Sequence, residues 1–152
     1  MQAAGLRNYV RFALVAALVV GLLSFVPAKA EAAVSTSEKQ MVTLINKARA
    51  SAGRAPLARS SVLSTLARKH SATMASKNKL YHNPYLAKWL SPYSWRIAGE
   101  NVGVGGSITQ LHTAFMKSPG HRANNLSKAY KKVGVGVVNK NGRIWITVMF
   151  LG

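Results

Sequence analysis

The sequence has no cysteine, no aspartate and only three acidic side chains, Glu31, Glu38 and Glu100, in 152 residues. Without cysteine there is no disulfide-stapled fold, no Cys-ligated zinc finger and no thiol nucleophile. Without a carboxylate cluster, a magnesium phosphoryl-transfer site, an EF-hand or a glycosidase pair held within this chain has nothing to be built from. Internal repeats and low-complexity blocks are also missing. What is abundant is base: 21 Lys and Arg set the formal net charge at +18. Apolar residues make up 49% of the chain, so it is a folded protein and not a disordered tail. The length fits one domain plus a targeting segment.

The N-terminus has the three parts of a signal peptide. Arg7 and Arg11 form a charged start, Phe12 to Val26 an apolar run of 15 residues, and Ala28-Lys29-Ala30 an Ala-x-Ala cleavage site. The run is short for a permanent span, which takes about 17–25 residues. The competing reading is an uncleaved N-terminal anchor; both put the remainder outside the cytoplasmic membrane. Cleavage after Ala30 leaves 122 of the 152 residues and a net charge of +15. A chain of that size folds without disulfides. A bacterial exported protein suits this cysteine usage better than a small eukaryotic secreted domain. The expected organisation is a signal peptide over 1–30, a short exposed lead over 31–35 and one domain over 36–152.

In the mature part, Ser35 and Glu38 have capping-box spacing. Met41, Leu44, Ile45 and Ala48 then recur on one helical face, and Gly53 is a C-terminal stop. A second helix starts near Ser60 or Ser61, with Leu63, Leu66, Ala67, His70 and Met74 as its stripe. Asn78 to Trp95 is a long connection rich in aromatics and proline, of a length that is functional or hides a short helix. Ile97 to Val104 reads as strand or loop around Gly99-Glu100-Asn101. Ser107 caps a third helix carrying Ile108, Leu111 and Phe115, which Pro119-Gly120 ends. Val133–Val138 and Arg143–Phe150 read as strands joined by a turn at Asn139–Gly142. Helices first and a hairpin last predict an α+β layer fold.

Few residues carry chemistry. His70, on an apolar stripe, reads as a core histidine bonded to backbone, and His112 as structural or surface. His82, His121 and Glu100 instead fall in stretches read as irregular and flanked by Gly or Pro, where side chains are presented to a cleft. Neutral imidazole is a ligand for zinc or copper, and a carboxylate completes or polarises such a site. Their spacing, 18 and 21 residues, does not by itself bring them together.

The order of motifs resembles the CAP superfamily (SCP-like; cysteine-rich secretory, antigen-5 and pathogenesis-related-1 proteins), bacterial single-domain type. The matching segments are Leu44-Ile-Asn-Lys-Ala-Arg49, Leu66-Ala-Arg-Lys-His-Ser71 with Met74, Tyr81-His82 and Gly99-Glu-Asn101. They continue with Ser118-Pro-Gly-His-Arg-Ala-Asn-Asn-Leu126, Val133-Gly-Val-Gly136 and Phe150-Leu-Gly152. The resemblance spans Ser35 to Gly152. It implies an α-β-α sandwich with a central antiparallel sheet and a cleft lined by two histidines and acidic residues. His82 and His121 match the histidines and Glu100 the Gly-Glu-Asn glutamate. Many members carry a second cleft glutamate on the helix before the second histidine; here Ser107–Lys117 holds no carboxylate, and Phe115 stands where Trp is usual.

Three readings of the cleft follow. In the first, His82 and His121 are metal ligands, for zinc or copper, with Glu100 as a partner or general base and Ser118 and Asn101 lining the cleft behind them. The second is hydrolysis by a loose Ser118–His121–Glu100 triad, against which Ser118 reads as capping its turn. The third is structural: Glu100 accepts backbone N–H groups and the histidines pack. Binding ranks above metal-assisted hydrolysis of an envelope polymer or peptide, because a lone Glu100 leaves no second acid and a metal-bound imidazole is no general acid. A lipid-binding reading needs an apolar groove; the Tyr81–Trp95 segment could supply one, but its first reading is as a segment packed on the core. The dispersed basic charge predicts a protein secreted or held at the cell wall, on anionic wall polymers or lipid head groups. No base-reading motif is present, so sequence-specific nucleic-acid binding is not expected. With carboxylates so scarce, Arg49 and Arg122 are expected to serve structural roles through backbone carbonyls.

Overall fold

The computed structural model describes residues 35–152; the signal-peptide segment over 1–30, and all of the exposed lead but Ser35, lie outside the described residues. The elements are α1 (Thr36–Ser51), β1 (Ala58–Arg59), α2 (Ser61–Lys77), α3 (Leu86–Leu90), β2 (Ala98–Gly105), α4 (Ile108–Lys117), α5 (Pro119–Leu126), β3 (Lys132–Lys140) and β4 (Arg143–Leu151). The strands form one sheet in the order β1-β3-β4-β2. It is antiparallel except at its edge, where the two residues of β1 run parallel to β3. Among the described residues, no helix is long and apolar enough to cross a membrane.

The sandwich follows from the period of two along β4. Ile146, Val148 and Phe150 point into one layer, against Met41 and Ile45 of α1 and Leu111 and Phe115 of α4. Met149 and Leu151 point into the other, against Leu63 and Ala67 of α2 and Leu90 of α3, and Trp145 joins Met74 and Ala75 there. Both faces of the sheet are thus covered, and β4 reads as an almost unbroken apolar run. These clusters, the whole sheet and the helix caps lie within residues 35–152. That stretch holds its own core, as an independently folding unit does.

α1 opens on the expected capping box: Ser35 Oγ accepts from Glu38 N at 3.2 Å, and Glu38 Oε2 accepts from Ser35 N at 3.3 Å. Glu38, nevertheless, is also a core residue. It is 1% exposed, receives Arg68 in a bidentate pair at 2.7 and 3.0 Å, and accepts from Val137 N.

The inner face of α2 is smaller and more polar than its apolar stripe indicates. Ser64 and Ser71 are buried beside Leu63 and Ala67, while Leu66 is only partly buried. The reason lies opposite, in β3. A Cβ at Gly134 would overlap the backbone of Leu63 and Ser64, and one at Gly136 the backbone of Ala67 and Arg68. Helix and strand backbones therefore touch, and the serines satisfy strand groups at the contact. Ser71 Oγ donates to Gly136 O at 2.9 Å, and Val135 N donates to Ser64 Oγ at 3.3 Å.

The hairpin turn is tighter than its four-residue reading. Asn141 and Gly142, at φ 52° and 72°, form a two-residue loop of the type that matches strand twist. The Pro119-Gly120 stop requires a larger correction. α4 does end at Lys117, but Pro119 is the first residue of α5, where its fixed φ and missing N–H suit a helix start. His121 therefore lies on a helix, not in an irregular stretch, and Glu100 lies within β2.

Candidate functional site

β2 is the outer strand on its side of the sheet, so the segment after α2 and the helix α5 approach it from the two layers. Glu100 is 7% exposed, and its Oε1 accepts from Asn83 N and from His82 Nδ1, each at 2.9 Å. A carboxylate only accepts, so Nδ1 carries the hydrogen and Nε2 is the nitrogen left available. The His82 side chain is 64% exposed against 4% for Glu100. The acid is thus an inner support that fixes the tautomer and direction of an outward-facing imidazole. Glu100 Oε2 is buried with no hydrogen-bond partner.

His82 is held from behind as well. His70, 2% exposed, donates from Nε2 to Tyr81 O at 2.8 Å, and its ring meets the Tyr81 ring edge-on at 5.2 Å. The core role expected of His70 is therefore also a positioning role for the residue before His82. His112 is partly buried, and burial pushes its imidazolium below the ordinary imidazole range.

His121 comes from the opposite layer. Its ring lies 5.0 Å from that of Phe115, tilted by 56°. Burial, and then the charge of His82, hold its pKa below the ordinary value of 6.5. His121 O accepts from Asn101, the chain neighbour of the Glu100 that holds His82, so the two histidines are anchored at adjacent positions of β2. The sign of the pH effect of His121 follows. His121 is neutral in the fold at pH values where the unfolded chain already takes up a proton, so stability is full above about 6.5. It is lost as pH falls from there through the lowered folded value. Urea unfolding from pH 7 to pH 5 is expected to show falling stability, with a shallower slope in His121→Gln.

α5 is tied to β2 through asparagines. Asn101, fully buried, donates to His121 O and to Asn125 Oδ1, each at 3.1 Å. It accepts from Asn124 Nδ2 at 2.9 Å, and Asn124 also donates to Glu100 O at 3.2 Å. Asn101 thus joins α5 to β2 at the position next to Glu100. Asn83, Asn124 and Asn125 do comparable work but were singled out by no spacing or chemical pattern. Ser118 departs from its reading. It occupies the N-cap position of α5, yet its side chain makes no capping hydrogen bond, and only its carbonyl accepts, from Arg122 N. Ser118, His121 and Glu100 share no hydrogen bonds, so the structure does not assemble the loose triad. Of the two arginines expected to be structural, Arg49 is buried on carbonyls, whereas Arg122 is exposed.

Among the described residues no group of three or more His, Cys, Asp or Glu is placed to hold a metal ion. The imidazoles that could serve as ligands are His82 and His121, and His82 is oriented by a carboxylate, the support that metal-ligating histidines use. It suits a borderline ion such as zinc or copper with open positions left to water or ligand. Substituting Glu100 by Gln removes the acceptor charge behind His82, and is expected to weaken metal binding about 10–100-fold, read by calorimetry.

A three-layer sandwich around a four-stranded sheet is the fold of the SCP-domain structures that this chain resembles. Residues 42–150 match the Cysteine-rich secretory protein family, CAP, and the chain belongs to that family. YkwD of Bacillus subtilis (strain 168), an uncharacterized protein, is 35% identical over 130 residues, 81% of this chain and 50% of its own length. An extracellular SCP-domain protein from Bacillus anthracis str. Ames superposes with a TM-score of 0.69 at 26% identity, over 76% of this chain and 40% of that one. The chain thus spans about half or less of these two relatives. NaASP2, whose crystal structure was determined with Zn2+, shares the fold at a TM-score of 0.60 and 12% identity, over 77% of this chain and 80% of its own.

Proposed function

We propose that this CAP protein works outside the cytoplasmic membrane, secreted or held at the envelope, as a binding protein whose cleft takes a divalent metal weakly. The observation that carries the reading is the Glu100–His82 hydrogen bond, which engages Nδ1 and leaves Nε2 of a largely exposed imidazole available as a ligand. His82 and His121 are the ligands, and Glu100 and Asn101 hold them from behind. Bound there, the ion supplies a Lewis-acidic centre with exchangeable positions. The signal-peptide pattern over 1–30 and the extracellular relative support the location, and the Zn2+ in the NaASP2 crystal supports zinc as the first ion to try.

Zinc and copper titrated calorimetrically into residues 31–152 are expected to bind near one equivalent. The His82→Ala/His121→Ala double variant is expected to lose that binding while keeping the parent's thermal melt. Equal binding by a folded double variant would end the metal reading.

A metal-assisted hydrolase is the second reading, favoured by one observation: Glu100 Oε2 is a buried carboxylate oxygen with no partner. It would serve as general base through water, with an envelope polymer or peptide as substrate. Protonation of the leaving group finds no second carboxylate here, and for that reason binding stands first. Release of product from peptidoglycan or casein by the zinc-loaded protein, lost in Glu100→Gln, would reverse the order.

A further inference from the structure

We propose that the face built from the segment after α3, the start of α2 and the β1–β3 sheet edge docks onto a lipid bilayer that carries anionic phospholipid. This goes beyond the metal-site reading and does not depend on it. Two grooves meet on this face. The first, of about 880 Å³, is lined by Trp95, Arg96, Ile97, Ala129 and Lys131 among others. The second, of about 350 Å³, is lined by Val62, Pro92, Tyr93 and Lys132, and Ser94 lines both.

Apolar exposure is concentrated here. Of the six large apolar side chains exposed among the described residues, four are on these groove walls: Val62, Tyr93, Trp95 and Ile97. They are held in place before any partner arrives. Trp95 Nε1 donates to Leu90 O at 3.1 Å, and the strand-like pairing of Ile97 with Gly152 fixes the backbone behind it. Little conformational entropy remains to be lost on docking.

The charge is equally one-sided. Arg96, Lys131 and Lys132 line the same grooves, and Arg59 is exposed on β1 beside them. The acidic side chains among the described residues, Glu38 and Glu100, are buried and bonded within the fold. No acidic side chain therefore neutralises the rim, where the one residue with a terminal carboxylate is Gly152. A soluble polyanion would satisfy the cations but offers no apolar phase to Val62 and Ile97. An apolar protein surface would leave the cations desolvated and unpaired. An anionic bilayer supplies both, with head groups for Arg and Lys and the interfacial layer for Trp and Tyr.

The test is co-sedimentation of residues 31–152 with phosphatidylglycerol–phosphatidylcholine vesicles, against pure phosphatidylcholine vesicles, with polyphosphate binding measured in parallel. Binding is expected to the anionic vesicles only. Val62→Ser/Ile97→Ser is expected to lower vesicle affinity about tenfold and leave polyphosphate binding unchanged. Arg96→Gln/Lys131→Gln is expected to lower it about tenfold or more, well beyond the loss in Lys39→Gln/Lys47→Gln on exposed positions of α1. Tyr93→Ser repeats the apolar arm at one exposed position, and thermal melts confirm that each variant folds. Vesicle binding unaltered in both apolar variants would overturn the proposal. So would equal losses from the two charge pairs, or binding to polyphosphate without binding to vesicles, which would make the partner a polymer.

Discussion

Gly136→Ala is expected to cost about 3 kcal/mol of stability, with a fall in Tm of roughly 10 °C. The added methyl would meet the backbone of Ala67 and Arg68 in α2. A flexible side chain in that place could swing aside, but a helix backbone moves only as a whole. Moving it would also stretch the bonds from Ser71 to Gly136 O and from Val135 N to Ser64. Two other glycines separate this mechanism from ordinary glycine effects. Gly120, in α5, has open space where its Cβ would be, and Gly120→Ala is expected to stabilise by about 0.5–1 kcal/mol. Gly142 also has open space but sits at φ 72°, so Gly142→Ala is expected to lose about 1 kcal/mol through backbone strain alone. Urea unfolding of the three variants tests the ranking. A Gly136→Ala midpoint near that of the parent would mean that α2 does not rest on the strand as described.

Arg49→Met is expected to be the most damaging single change on α1, at about 3–5 kcal/mol. The guanidinium is 2% exposed and donates from Nε to Ala55 O at 2.8 Å. Its Nη1 donates to Asn125 O and Ser127 O, each at 2.9 Å. Met fills the volume but leaves buried carbonyls on two separate segments unpaired. Burial, and then the charge of Arg54, lower the Arg49 pKa. Arg49→Lys keeps a cation but not the planar fork, and is expected to recover only part of the loss. Since Asn125 and Ser127 end α5, both variants are expected to loosen the helix that bears His121. Faster hydrogen exchange over residues 119–127 than over α2 would show it. Uniform protection would instead make Arg49 a purely global anchor.

The parts of this fold that were legible share one property: they repeat. Met41 and Ile45, Leu63 and Ala67, and Ile108 with Leu111 recur at helical spacing, and all are buried. The unreadable parts are single events. Pro119 ends one helix and starts another, and the letters do not say which. Ser64 and Ser71 are no part of the apolar stripe, and their smallness matters only against Gly134 and Gly136, some 70 residues later. β1, two residues long, is too short to have a period. At the site, His82, Glu100 and His121 were nameable by resemblance, but no spacing rule announces that Glu100 grips His82. The asparagines behind them carry neither charge nor periodicity, so nothing distinguished Asn83 from an ordinary loop residue, and Asn124 was marked only as one letter of the matching segment 118–126.

Both glutamates of the described residues are interior, and this has a consequence for how the exterior behaves. A typical protein surface gains and loses charge as its carboxylates titrate in acid, but here the described exterior has no acidic side chain to protonate. Its charge is carried by lysine and arginine side chains, which as a class stay protonated well above neutrality. A fall in pH therefore removes no negative side-chain charge from that exterior. Adhesion through it answers instead to ionic strength, which shortens the reach of every exposed cation at once. For the membrane contact proposed above, added salt is therefore the stronger lever on the protein's side, since acid has no exposed carboxylate side chain there to neutralise.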